Sequence, residues 1–189
     1  MLNSQLPSEK QAPQDGVTLI ELIVTVVVVG ILSAIAVPSF LSFLQKQRVV
    51  GAASSLSSMM SFARAESLKR DEKISLTISV ASSDNWCFGL VASASSCDCS
   101  SGATSNKCEI DGANRRDGSN QYPAVLAAVT PASTTATLTY DPVRGTVSST
   151  PAIRFSIDSD ISLEIQTTKL GRAYQCKPSG SALGGYKEC

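Results

Sequence analysis

From Val17 to Val37 the chain reads VTLIELIVTVVVVGILSAIAV, an apolar run of 21 residues in which Glu21 is the only ionisable side chain. As a helix rising 1.5 Å per residue, such a run spans roughly 30 Å, the thickness of a bilayer's hydrocarbon layer. Its many β-branched residues lower helix propensity in water. In lipid, however, every backbone N–H and C=O must be paired within the segment, and a helix does this. The run therefore predicts a transmembrane helix over 17–37. A secretory signal has a shorter apolar core behind a charged start and ends at a small-residue cleavage site, and this core is too long for one. Residues 1–16 are polar and end in Gly16 at the lipid boundary, so they read as a short hydrophilic leader. An acid placed just inside a membrane span is costly, which makes Glu21 a functional candidate. Gly30, Ser33 and Ala34 form a small-residue patch suited to close helix packing.

Past Pro38, apolar residues recur at helical spacing (Leu41, Leu44, Val49, Ala52, Leu56, Met59, Met60, Ala63), predicting an amphipathic continuation over 38–70. Its apolar stripe needs a cover, and the methionines read as core filler. At Lys73 the period changes to two. Ile74, Leu76, Ile78 and Val80 alternate with Ser75, Thr77 and Ser79, as in a half-buried strand. Further strands are expected at Cys87–Ala92, Ala136–Tyr140, Ala152–Ile157, Ile161–Gln166 and Leu170–Cys176. Asp141-Pro142-Val143-Arg144-Gly145 reads as a turn joining two of these strands, and Asp158-Ser159-Asp160 as one joining another pair. Ser93–Gln121, rich in Ser, Gly, Asn and Cys, reads as a long exposed loop. One long helix followed by antiparallel strands predicts an α+β fold with a β-rich head over 71–189.

The chain contains no histidine, which excludes imidazole as base, proton shuttle or zinc ligand, and no serine sits in a nucleophile constellation. No enzymatic activity, cofactor or small-molecule substrate is expected. All six cysteines (Cys87, Cys97, Cys99, Cys108, Cys176, Cys189) follow the apolar run and so lie on one side of a membrane. Their even count suggests three disulfides in an oxidising compartment. Zinc is the rival for Cys87, Cys97, Cys99 and Cys108, but no Cys-x-x-Cys pair is present, and no metal site is expected. Cys97 and Cys99 are too close in sequence to bond each other. Cys176 with Cys189 is the most local pairing, and the other four admit three pairings that the sequence leaves open. Asp111, Asp117, Asp158 and Asp160 lack EF-hand spacing and read as solvated turn residues.

Lys+Arg 16 against Asp+Glu 16 argues against a globally basic polyanion binder. Lys169–Cys189, however, carries a net charge of +3. Lys169, Arg172, Tyr174 and Lys177 are candidate contacts for DNA, the lysines and arginine for phosphates and the tyrosine for stacking on a base. Arg115 and Arg116 are secondary candidates.

Gly16-Val17-Thr18-Leu19-Ile20-Glu21-Leu22, followed by the apolar run, resembles the signal of type IV pilins and type II secretion pseudopilins. The resemblance implies that a prepilin peptidase cuts between Gly16 and Val17 and methylates the new amino terminus. It also implies that Glu21 pairs with the amino terminus of a neighbouring subunit, and that Pro38 lies where the family often kinks its helix. Val17 stands where phenylalanine is usual, and Asp15 where a basic residue is common. Ser61-Phe62-Ala63-Arg64-Ala65-Glu66-Ser67, the 141–145 turn and Gly171-Arg172-Ala173-Tyr174-Gln175-Cys176 are similar to the FimT/FimU/GspH branch of minor pilins and pseudopilins. That branch implies a pilin-like fold, a single pass through a bacterial inner membrane with the head in the periplasm, and incorporation at or near a pilus tip among other minor and major pilins. In its DNA-uptake members a Gly-Arg-x-Arg motif is implicated in binding DNA. Here Gly171 and Arg172 match, and Tyr174 replaces the second arginine.

Overall fold

The computed structural model describes residues 16–100 and 102–189, so the leader expected over 1–16 lies, apart from Gly16, outside the described residues. Contacts divide the chain into two units meeting between Leu41 and Ser42.

Helix α1 spans Leu19–Arg70. Thr18 caps it. Its carbonyl accepts the Leu22 N–H (3.2 Å), and its Oγ1 accepts the Glu21 N–H (3.3 Å). Helix end and strand start fall where the period changes from 3.6 to two, with Asp71 at a positive φ of 52° between them. In the unit beginning at Ser42, α1 buries Val49, Ala52, Ala53, Leu56, Met60 and Ala63. The small residues at 52, 53 and 63 let strands approach closely, and Leu56 and Met60 fill the space between.

Among the described residues ten strands follow: β1 Ile74–Ser82, β2 Asn85–Val91, β3 Glu109–Ile110, β4 Ala113–Asn114, β5 Arg116–Gly118, β6 Leu126–Thr130, β7 Thr135–Tyr140, β8 Ala152–Ser156, β9 Ser162–Thr167 and β10 Ala173–Cys176. They form two four-stranded antiparallel sheets, ordered β5-β2-β1-β7 and β10-β9-β8-β6, and a small β3-β4 hairpin. Ile74, Leu76, Ile78, Phe88, Leu90 and Leu138 from the first sheet share one core with Ile153, Phe155, Leu163 and Ile165 from the second and with α1. Trp86 joins the sheets. Its ring lies 4.9 Å from that of Phe155, and its Nε1–H donates to the Val125 carbonyl (2.8 Å).

Three expectations need correction. The first concerns β1, which is buried on both faces over Ile74–Ile78, not half-buried. Ser75 is 0 % and Thr77 2 % exposed because the chain at Ser93 and Cys97 lies over that face. The Ser75 hydroxyl donates to the Ser93 carbonyl (2.6 Å), and the Cys97 N–H donates to Thr77 Oγ1 (3.0 Å). For the same reason Ser93–Gln121 is not a simple exposed loop. It carries β3, β4, β5 and a 3-10 turn, and it buries Cys97, Cys99, Cys108 and Ile110.

The third correction concerns the start of the last strand. Leu170–Arg172 is a turn, with Gly171 at φ 70° and its N–H on the Thr168 carbonyl (2.9 Å), so β10 starts only at Ala173. The 141–145 turn does join two of the expected strands, though they belong to different sheets. After a bridge between Tyr140 and Val147, it leads from β7 in one sheet to β8 in the other. The Asp158–Asp160 turn does join β8 to β9, with Asp158 Oδ1 accepting the N–H groups of Asp160 (3.0 Å) and Ile161 (2.7 Å).

Candidate functional site

The first half of α1 presents its apolar side chains outward all round. Leu19 is 78 %, Ile20 70 % and Ile35 71 % exposed, and α1 is long and apolar enough to cross a membrane. An apolar surface of that extent requires lipid or neighbouring helices around it. The polar side chains within the span are turned onto the helix itself. The Thr25 hydroxyl donates to the Leu22 carbonyl (2.8 Å) and the Ser33 hydroxyl to the Val29 carbonyl (2.7 Å), which removes their cost in lipid. Glu21 is exposed in the first turn, where a carboxylate also complements the helix dipole. Thr18-x-x-Glu21 is a capping-box signature, a start signal that the sequence carries beside the larger apolar one. Gly16 and Gly30 are open, with no atom within 4 Å of where a Cβ would stand, and Pro38 lies inside α1.

The six cysteines form Cys87–Cys99, Cys97–Cys108 and Cys176–Cys189. Cys87–Cys99 fastens the segment around Cys99 onto β2 of the first sheet, and Cys97–Cys108 closes that segment on itself. Gly89 makes room for them, since a Cβ there would stand 2.5 Å from Cys108 Sγ. Glu164, Cys176 and Cys189 lie close enough together to suggest a metal site. Both sulfurs are joined to each other, however, and the carboxylate is held by Arg154 (3.0 Å) and by the Gln166 amide (2.8 Å). The four cysteines weighed for zinc are likewise spent in disulfides.

The acids are structural in their surroundings. Asp111 receives two N–H bonds from Arg70, which also reaches Glu66, and this guanidinium holds the Asp111 carboxyl below the usual carboxylate range. Asp117 accepts from the hydroxyls of Ser55 and Tyr122, tying β5 to α1. Burial pushes the Tyr122 phenol up.

The structure spreads the expected basic tail over several places. Lys169 and Arg172 stand in the turn before β10. Tyr174 lies on the sheet's outer face with its hydroxyl on Gln166, and Lys177 pairs through its backbone with the terminal segment. Arg115 stacks over Phe62 (4.8 Å), and Arg116 donates to the Ser100 carbonyl. Arg64, which stands in the 61–67 block of the resemblance but not among the expected site residues, lies near the first group. It lines a cleft of about 420 Å³ with Leu68, Gly171 and Arg172, and its Nε–H donates to the Gly145 carbonyl (3.4 Å). Its helical position signalled exposure, but nothing local linked it to residues 81 and more positions away.

A lipid-length apolar helix capped beside an acid, and a disulfide-pinned head of two sheets on the helix's second half, define a membrane-anchored pilin-like subunit. The model of the family "Type II transport protein GspH" matches residues 52–173, and that of the "Prokaryotic N-terminal methylation motif" matches residues 12–37. The chain belongs to the GspH family, within the branch of minor pilins and pseudopilins that includes FimT and FimU. The type IV minor pilin FimU of Pseudomonas aeruginosa, in a P21 crystal form, shares this fold at TM-score 0.50 and 18% identity, covering 75% of this chain and 97% of that one. A P65 form of FimU aligns at TM-score 0.47 and 18% identity over 71% and 96%. No curated protein sequence matches the chain. Its role is that of a minor pilin or pseudopilin of a type IV pilus or type II secretion system. The methylation motif implies prepilin peptidase processing and assembly with other pilins.

Proposed function

We propose that the chain is cleaved between Gly16 and Val17, methylated at Val17, and built into a type IV pilus at or near its tip, where it primes assembly. The observation that carries this reading is Glu21, exposed in the first turn of a helix whose first half leaves its apolar surface uncovered. In lipid that carboxylate requires a positive partner, and the amino terminus of an adjoining subunit supplies one. Three disulfides favour a head on the oxidising, periplasmic side of the inner membrane, with 17–37 as the span, 38–70 as its extension and 71–189 as the head.

A second reading, DNA capture for uptake, is favoured by Lys169, Arg172 and Lys177, which enter no ion pair among the described residues, and by Tyr174 at 47 % exposure. A third, a minor pseudopilin of type II secretion, shares the anchor and fold and is favoured by the family match itself.

A deletion strain scored for surface pili, transformation and protein secretion separates them. Loss of pili with normal secretion, restored by the native chain and not by Glu21→Ala, is the expected result. Intact piliation with reduced transformation favours the second reading, and a secretion defect alone favours the third. Either outcome removes the tip-priming role.

A further inference from the structure

Among the described residues after Phe43, Leu68, Val143, Leu170 and Tyr174 are the large apolar side chains left exposed, at 46 %, 80 %, 60 % and 47 %. Three of the four gather at one place. A Cβ on Gly145 would stand 3.6 Å from Leu68 Cδ2 and 3.4 Å from Arg64 Nε, and one on Gly171 would stand 2.6 Å from the Gly145 carbonyl. The 141–145 and 168–172 turns therefore interlock over the last turns of α1. Val143 sits at the tip of one turn and Leu170 at the tip of the other.

Both turns are rigidly built. Asp141 Oδ1 accepts the N–H groups of Val143 (3.0 Å) and Arg144 (2.8 Å), and the Gly145 N–H donates to the Asp141 carbonyl (2.8 Å). The Arg172 N–H donates to Thr168 Oγ1 (3.3 Å), and the Val147 N–H to the Lys169 carbonyl (3.1 Å). Apolar tips held this way lose little freedom on contact, which favours binding. Beside the second turn lies the cleft of about 420 Å³, bounded by Gly171, Arg172 and Ala173 and lined on α1 by Ser61, Arg64, Ala65 and Leu68, an i, i+3, i+4, i+7 face whose small members leave it open.

Charge selects the occupant. Arg64, Arg144, Lys169 and Arg172 stand on or beside the cleft and its turns, and none enters an ion pair among the described residues. Asp141, the acid in the same turn, has its carboxylate engaged by backbone N–H groups. We propose that this surface docks a segment of a partner protein that carries a carboxylate flanked by apolar side chains, the carboxylate meeting the arginines and its neighbours meeting Leu68, Val143 and Leu170. A nucleic acid would use the cations but gain little from apolar tips, since phosphate contacts dominate its binding. That the partner is an adjoining subunit rests on the assembly role proposed above; the recognition chemistry does not.

The test uses the full chain in detergent micelles and a fluorescent, end-blocked hexapeptide of alternating Leu and Glu, read by anisotropy against empty micelles. Saturable binding is expected. It should weaken on the order of tenfold when Glu is replaced by Gln or Leu by Ala in the peptide, and similarly in the Leu170→Ser and Arg64→Ala chains. Leu170→Ser changes an exposed turn tip and should unfold at the native midpoint. Absence of saturable binding, equal binding of the Gln peptide, undiminished binding by Leu170→Ser, or displacement by an oligothymidylate of equal charge would each overturn the proposal. Glu21→Ala should bind the peptide normally, so failure of the assembly role and failure of this surface are told apart.

Discussion

Replacing Gly89 with alanine tests how the first sheet came to be buried on both faces. In a strand interior, glycine is ordinarily the weaker residue by about 0.5–1 kcal/mol, so on propensity alone the change should stabilise. The structure reverses that sign. The new methyl would stand 2.5 Å from Cys108 Sγ, 2.6 Å from Cys108 Cβ and 3.0 Å from the Arg115 carbonyl. Cys108 is fully buried and bonded to Cys97, so neither it nor the backbone behind it is a flexible end that swings aside. Overpacking of this kind costs about 1–3 kcal/mol, and the upper half applies where the clashing group is tethered. For a protein of this size that corresponds to a fall of about 5–10 °C in the unfolding midpoint. The assay is thermal unfolding of the oxidised full chain in detergent, followed by circular dichroism. Gly184→Ala serves as control because nothing lies within 4 Å of its Cβ position. In a chain with both Cys97 and Cys108 changed to alanine, the sulfur facing the new methyl is gone and residue 108 is untethered, so Gly89→Ala should cost less than half as much. A Gly89→Ala chain as stable as wild type, or more so, would refute the packing account.

Tyr140→Phe should be neutral or stabilising by up to about 1 kcal/mol in urea titrations, because the Tyr140 hydroxyl is buried without a hydrogen-bond partner among the described residues and its removal loses only a desolvation cost. A clear destabilisation would show that the hydroxyl is paired. Asp111→Asn should lower stability at neutral pH, with the difference from wild type closing as pH falls below about 4. The folded-state pKa of Asp111 is depressed by Arg70, so its contribution is present above the unfolded value and is lost as pH drops through the folded one. A gap that persists at pH 2 would contradict this. Changing both Cys176 and Cys189 to alanine should cost about 3 kcal/mol, the entropy expected from a loop with a separation of 13 residues, and should expose the terminal segment to proteolysis.

The sequence disclosed periodic elements well and covered surfaces poorly. The expected ends of the helix at Arg70 and of β1's hydrophobic alternation were legible because burial there repeats at 3.6 and then at two residues. β6, reading Leu-Ala-Ala-Val-Thr, went unseen because two alanines blur its alternation, although Ala127 and Val129 are buried in it. The 93–115 segment was misjudged for a different reason. Disulfides and polar bonds to Ser75 and Thr77 hold it down, and neither leaves an apolar pattern. Among the candidate sites, Glu21 stood out as the lone charge in an apolar run. The meeting of Arg64, Gly145 and Gly171 is a product of topology, with separations that no local spacing reports.

The central claim is that this chain becomes a filament subunit by losing its leader at Gly16. The intact mass of the protein recovered from sheared filaments and from inner membranes tests it most directly. The account predicts a chain beginning at Val17 and bearing one added methyl group, with three disulfides retained. A chain that still begins at Met1 in the assembled filament would contradict it.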